Sequence, residues 1–221
     1  MAVPLHIPKM CSTFSKKKCN PAAGMPAELR KVAVRLRRAI LHEQGFDFLV
    51  QVADRLFAGP ILEEKGIAVL LLENQTAKCG GREFALFDSW LDRISSWADH
   101  DALAHYLIAP MVAAKPARGK HIFRWAKSTS RWRRRAACVA LIRGAREKQF
   151  FPEIVRLSEM LLNDDDDMVQ KGLGWLLRET AKFNSKRTVP YLMKIRARAP
   201  RLVLRTACET LPARTRRQVL K

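Results

Sequence analysis

The sequence predicts an all-α chain whose helix pairs stack into a curved α-solenoid with a basic concave surface. Three observations carry this. Apolar residues recur at helical spacing from Pro26 to the end of the chain. No alternating β-branched run bounded by hairpin turns reads as a strand. Successive helix pairs recur at about 35–45 residues, a repeat short enough that each unit must bury its apolar face on its neighbour.

The elements follow in order. Residues 1–25 hold turn formers and the Lys16-Lys17-Lys18 cluster, and are expected to form a flexible basic tail. From Pro26 to Lys221 a single repeat domain is expected, with no internal boundary. Glu28 to Gln44 reads as a basic helix with Leu29, Val32, Val34, Leu36, Ile40 and Leu41 at its apolar positions. Phe46 to Phe57 follows and ends at Gly59-Pro60, and Ile61 to Leu72 ends before Asn74. Cys79-Gly80-Gly81 breaks the chain ahead of Arg82 to Ser96, whose Phe84, Phe87, Leu91 and Ile94 share one side. Asp101 to Ala114 contains Pro110, which can kink or shorten it. Gly119 to Trp125 is a short helix. Ser130 is placed to cap Arg131 to Arg146, and Pro152 suits the first turn of Phe151 to Leu162. The Asp164–Asp167 run precedes a helix to Lys182, as N-cap and dipole partner. Ser185 to Ala197, Arg201 to Leu211 and Arg214 to Lys221 complete the chain, with Pro200 and Pro212 as breaks. The repeat length is that of HEAT-type units.

The 221 residues suffice for a core without metal or disulfides, and a hydrophobic content of 48% argues against disorder. Lys and Arg number 41 against 21 Asp and Glu, a net charge of +20 that predicts a polyanionic partner. The five cysteines have no C-x-x-C spacing and fit a reducing compartment. No signal-peptide run and no apolar run near 18 residues occurs, so a soluble cytoplasmic protein is expected. The histidines are scattered, with no H-E-x-x-H and no Cys/His cluster, which leaves metal chemistry without support. No phosphate-binding glycine loop and no G-x-S-x-G appears.

Three clusters remain. The first is Trp97-Ala98-Asp99-His100-Asp101, where Asp101 is either a site carboxylate or a partner of the helix dipole. The second is Arg131-Trp132-Arg133-Arg134-Arg135-Ala136-Ala137, either a phosphate-binding helix start or a solvated basic turn over a buried Trp132. The third surrounds Trp175. On its helix, Val169, Leu173, Leu176, Leu177 and Thr180 share the apolar face, and Trp175 projects roughly 140° away among Lys171, Arg178, Glu179 and Lys182. Trp175 is then either a core residue between two layers or an aromatic platform beside cations.

In order, W-x-x-x-D, W-x-x-R-A-A and K-x-x-G-W-x-L-R-E resemble the AlkD-like family of DNA alkylation repair glycosylases. The strings SWADHDALA, SRWRRRAACVALI and QKGLGWLLRETAK carry it, across about residues 46–211 and most strongly from Leu91 to Lys182. The resemblance implies a HEAT-like repeat fold and a lesion site of two tryptophans, an aspartate and an arginine. These match Trp97, Trp175, Asp101 and Arg135. Ala98 stands where the family usually has an acidic residue.

The resemblance further implies hydrolysis of the N-glycosidic bond of N3- or N7-alkylated purines without base flipping. Such bases are cationic and already good leaving groups. Asp101 would stabilise the oxocarbenium-like sugar, the faces of Trp97 and Trp175 would hold it, and Arg135 would grip a phosphate. Arg131, Arg134, Lys171, Arg178 and Lys182 are the expected further DNA contacts. The expected partner is double-stranded DNA containing alkylated bases, met by a monomer with no metal, cofactor or membrane. A non-catalytic HEAT-repeat DNA-binding protein is the alternative, and a scaffold for an acidic protein or RNA a third.

Overall fold

The computed structural model describes residues 26–221. The expected tail and Cys11 and Cys19 lie outside them. No strand occurs among the described residues, and the fold is all-α. The helices are α1 (Ala27–Glu43), α2 (Gly45–Ala58), α3 (Leu62–Leu72), α4 (Gly81–Trp90), α5 (Trp97–Leu103), α6 (Ala109–Ala114) and α7 (Gly119–Trp125). They continue as α8 (Arg131–Val139), α9 (Ile142–Arg146), α10 (Phe151–Leu161), α11 (Asp167–Phe183), α12 (Ser185–Ile195), α13 (Arg201–Ala207) and α14 (Ala213–Val219).

Three stretches differ from expectation, and the helix holding Pro110 keeps its expected end by a local device. The helix expected to run to Ser96 ends at Trp90, followed by a 3₁₀ turn over Leu91–Arg93. Ser96 instead caps α5, which therefore opens at Trp97 rather than Asp101. The helix holding Pro110 continues to Ala114 because a π-helical turn, Ala104–Ile108, precedes the proline. The Ala109 N–H donates to the Ala104 carbonyl, and the widened turn makes room where a tight one would clash with the ring. The segment from Arg131 to Arg146 is split between α8 and α9 by a turn at Ala140 and Leu141. Ser130 stands at the N-cap of α8, but its side chain makes no capping bond.

A repeated contact joins successive units. A carboxylate on one helix accepts an aromatic N–H or O–H and an arginine from the next unit. Asp54 accepts from Trp90 and Arg93, Asp88 from Trp125, Arg124 and Arg133, and Glu159 from Tyr191 and Arg198. Each aromatic partner lies 32–37 residues downstream. Nearest-neighbour stacking of this kind defines a repeat fold.

One contiguous apolar core runs from Leu49 to Val219. Helix α11 lies at its centre, packed by α8, α9, α10, α12 and α13. Two glycines permit this. A Cβ on Gly172 would meet the Arg135 side chain at 3.1 Å, and one on Gly174 would meet Thr206 Cβ at 2.6 Å. Cys138 and Cys208 are fully buried and reduced, as is Cys79 with marginal exposure. Among the described residues no helix is long and apolar enough to cross a membrane.

Candidate functional site

The site is built from the start of α5. Ser96 accepts from the Ala98 N–H, and the buried Asp99 carboxylate returns the bond to the Ser96 N–H. This reciprocal capping box sets the entry angle of the helix. Asp99 also accepts from the Ser95 N–H and both serine hydroxyls. Lys65 of α3, itself 3% exposed, completes the arrangement 3.2 Å away. Burial raises the Asp99 pKa, and the serine hydrogen bonds outweigh it, so the net shift is downward. Six donors on one carboxylate, the His100 N–H included, thus fix α5 and everything it carries.

Asp101 lies one turn beyond Trp97 on the same helix and is 4% exposed. Arg135 of α8 meets it with two parallel bonds, Nε to Oδ1 at 2.9 Å and Nη2 to Oδ2 at 2.8 Å. Its third donor, Nη1, reaches the Met168 carbonyl at 2.6 Å, which ties the pair to the start of α11. Gly172 lets the guanidinium pass against α11. The His100 ring, fully buried, donates a further hydrogen bond. Its Nδ1 is 2.8 Å from Asp101 Oδ1, and its Nε2 is 3.0 Å from the Trp132 carbonyl. Both partners are acceptors. The Nδ1 proton is assigned by the stronger, charged acceptor. Burial lowers the His100 pKa against the opposing pull of Asp101. Burial pushes the Asp101 carboxyl up, but Arg135 and His100 outweigh it and hold its pKa at about 2. Asp101 is therefore a fixed anion at neutral pH.

The two tryptophans have different settings. Trp97, the first residue of α5, is 41% exposed. Trp175 is 6% exposed and belongs to the core, so of its two expected settings the structure chooses the buried one. The helical period sets it away from the apolar stripe, yet the ring is buried there, against His105. Its ring packs against His105, with centroids 5.5 Å apart and planes at 36°. His105 follows Asp101 by four residues and sits in the π-helical turn. Trp132, half-buried, stacks on His100 at 5.5 Å and lies under the Arg131 guanidinium.

Arg135, expected to grip a phosphate, pairs with Asp101 and has 7% of its side chain exposed. The other expected DNA contacts fall into two groups. Arg131 and Lys171 converge on Asp167, Arg131 also reaches Asp166, and Arg134 pairs with Asp164. Arg178 and Lys182 gather with Arg146 around the buried Glu179, and Arg178 also meets Glu209. Arg131, Lys171 and Lys182 keep about two fifths of their side chains exposed, whereas Arg134 and Arg178 are largely covered. The aspartate run caps α11 as expected, through Asp166 to the Met168 and Val169 N–H groups.

Two participants were not singled out from sequence, His100 and His105. Each has a local signal: His100 adjoins Asp101, and His105 stands at the i+4 position from it. In the sequence the histidines are weighed only as metal ligands and set aside. No group of three or more His, Cys, Asp or Glu residues that could hold a metal occurs among the described residues.

The arrangement is a buried anion held by an arginine and a histidine, one turn from an exposed tryptophan. It can stabilise positive charge on a bound molecule, and as an ionised carboxylate it cannot donate a proton. A family model described as "DNA alkylation repair enzyme" matches residues 12–211. No curated protein matches. Among solved structures, the chain is similar to one described as "Predicted DNA alkylation repair enzyme from Enterococcus faecalis", with a TM-score of 0.74. That likeness covers 86% of this chain and 88% of that one at 21% identity, a likeness of fold.

Proposed function

Because the chain belongs to the DNA alkylation repair enzyme family, we propose that it is a DNA glycosylase hydrolysing the N-glycosidic bond of cationic N3- and N7-alkylated purines in duplex DNA. The observation that supports this best is Asp101, a buried carboxylate kept ionised by Arg135 and His100. An alkylated purine leaves as a neutral base, so no general acid is needed. The sugar gains positive charge as the bond breaks. A preorganised anion lowers that barrier, by about 2–4 kcal/mol in comparable cases. Asp101 also accepts a hydrogen bond from the attacking water, which ends as the hydroxyl of the abasic sugar. Trp97, exposed one turn away, offers its face to the sugar.

Arg135 serves this chemistry by holding the carboxylate, and the exposed cations Arg131, Lys171 and Lys182 take the phosphates. Chemistry from the backbone side, without extruding the base, fits a cationic leaving group that requires no acid pocket. The non-catalytic DNA-binding reading draws on the same ion pair, because a carboxylate paired with Arg135 and His100 is also what a structural residue looks like.

One assay separates the two. A duplex carrying N7-methylguanine is incubated with wild type and Asp101→Asn, and free base and abasic sites are measured. Release by wild type, lost in the variant while DNA binding persists, supports the glycosylase. Binding without release by wild type leaves the non-catalytic protein.

A further inference from the structure

We infer that His105 is a substrate-contacting residue of this site, supplying with Trp175 behind it the second aromatic wall for a cationic nucleotide. The inference rests on the glycosylase reading above. Three features of the structure support it. His105 continues the line Trp97, Asp101, His105 at four-residue steps along one helix. The π-helical turn at Ala104–Ile108 slows the advance around the axis and brings His105 closer to that line. Next, Trp175 is almost wholly buried while His105 is partly exposed, so of the two packed residues it is His105 that reaches the surface. Finally, His105 Nδ1 is buried without a hydrogen-bond partner among the described residues. A ring needed only for packing would carry no such cost if it were phenylalanine.

Electrostatics suits the role. Arg143 and Arg146 of α9, Glu179 of α11 and Asp101 of its own helix lie within electrostatic reach of the ring. Tyr106 packs edge-on beside it. Burial first, and Arg146 next, push its pKa down to about 4, so the ring is neutral at physiological pH. A neutral aromatic face attracts a cationic purine and the developing sugar cation, whereas a positively charged side chain there repels both.

The test uses the full chain. Single-turnover release of N7-methylguanine is measured for wild type, Asp101→Asn, His105→Phe, His105→Leu and His105→Lys, with thermal melting of each. Affinity for an undamaged duplex is measured alongside. His105→Phe is expected within about threefold of wild type, and His105→Leu about tenfold slower, the order of one cation–aromatic contact. His105→Lys is expected to slow release more than His105→Leu while binding undamaged DNA at least as tightly. Release by His105→Leu and His105→Lys at the wild-type rate overturns the inference, and leaves the glycosylase reading intact if Asp101→Asn is inactive. If His105→Lys does not fold, the Phe and Leu variants decide. Absence of release by wild type overturns both readings.

Discussion

Replacing Arg135 with alanine tests the centre of the site. Its guanidinium is the bidentate partner of a carboxylate with 6% of its side chain exposed. Removing one member of such a pair leaves an uncompensated buried charge, which costs about 3–5 kcal/mol. At roughly 2–4 °C per kcal/mol for a chain of this size, Arg135→Ala should melt about 6–20 °C below wild type. Asp101→Asn removes the charge that Arg135 answers, so the double variant should lose less than the sum of the singles, by about 1.5 kcal/mol or more. Thermal denaturation of the four proteins closes the cycle. The acid side gives an independent reading. Asp101 has its folded pKa depressed from 3.8 to about 2. Its contribution, about 2 kcal/mol, is present above the unfolded pKa and is lost as pH falls through about 2. Arg135→Ala should move that loss to higher pH. A melting shift under about 2 °C, or additivity within about 0.5 kcal/mol, would refute the reasoning.

Three further outcomes are expected. His105 has a folded pKa of about 4 against an ordinary 6.5, so the unfolded chain takes up its proton first on acidification. Stability should therefore fall between about pH 6.5 and 4, by about 3 kcal/mol at most, and His105→Phe should flatten that slope; equal slopes would exclude the buried neutral ring. Gly174→Ala places a Cβ 2.6 Å from Thr206 Cβ and 3.0 Å from the Val203 carbonyl, and should cost about 1–3 kcal/mol in chemical denaturation. Because one obstacle is backbone, pairing it with Thr206→Ala should restore only part of the loss. Asp166→Ala should cost about 1 kcal/mol through its lost N-cap, and the neighbouring exposed Asp165→Ala less than about 0.5 kcal/mol; equal effects would count against capping.

Part of the site was legible before any coordinates. Capping is written locally, so Asp166 at the start of α11 could be read from one aspartate run and the apolar residues after it. The start of α5 was missed. Its signal, Ser96 followed three residues later by Asp99, was obscured by the apolar spacing that seemed to carry the preceding helix through Ser96. The division of the segment after Arg131 was equally hidden, because its residues favour a helix throughout and only packing sets the turn at Ala140.

The sequence by itself determined the all-α repeat fold, the family and the candidates, because helical periodicity, caps and short motifs are properties of neighbouring residues. It placed Trp175 opposite the stripe of its own helix. Only the tertiary structure decided that this opposite side is also covered, by His105 and the surrounding helices. It alone joined Arg135 to Asp101, 34 residues apart. A helical period fixes which way a side chain points. What it meets there depends on helices brought together by burial across the core, and that information is not local.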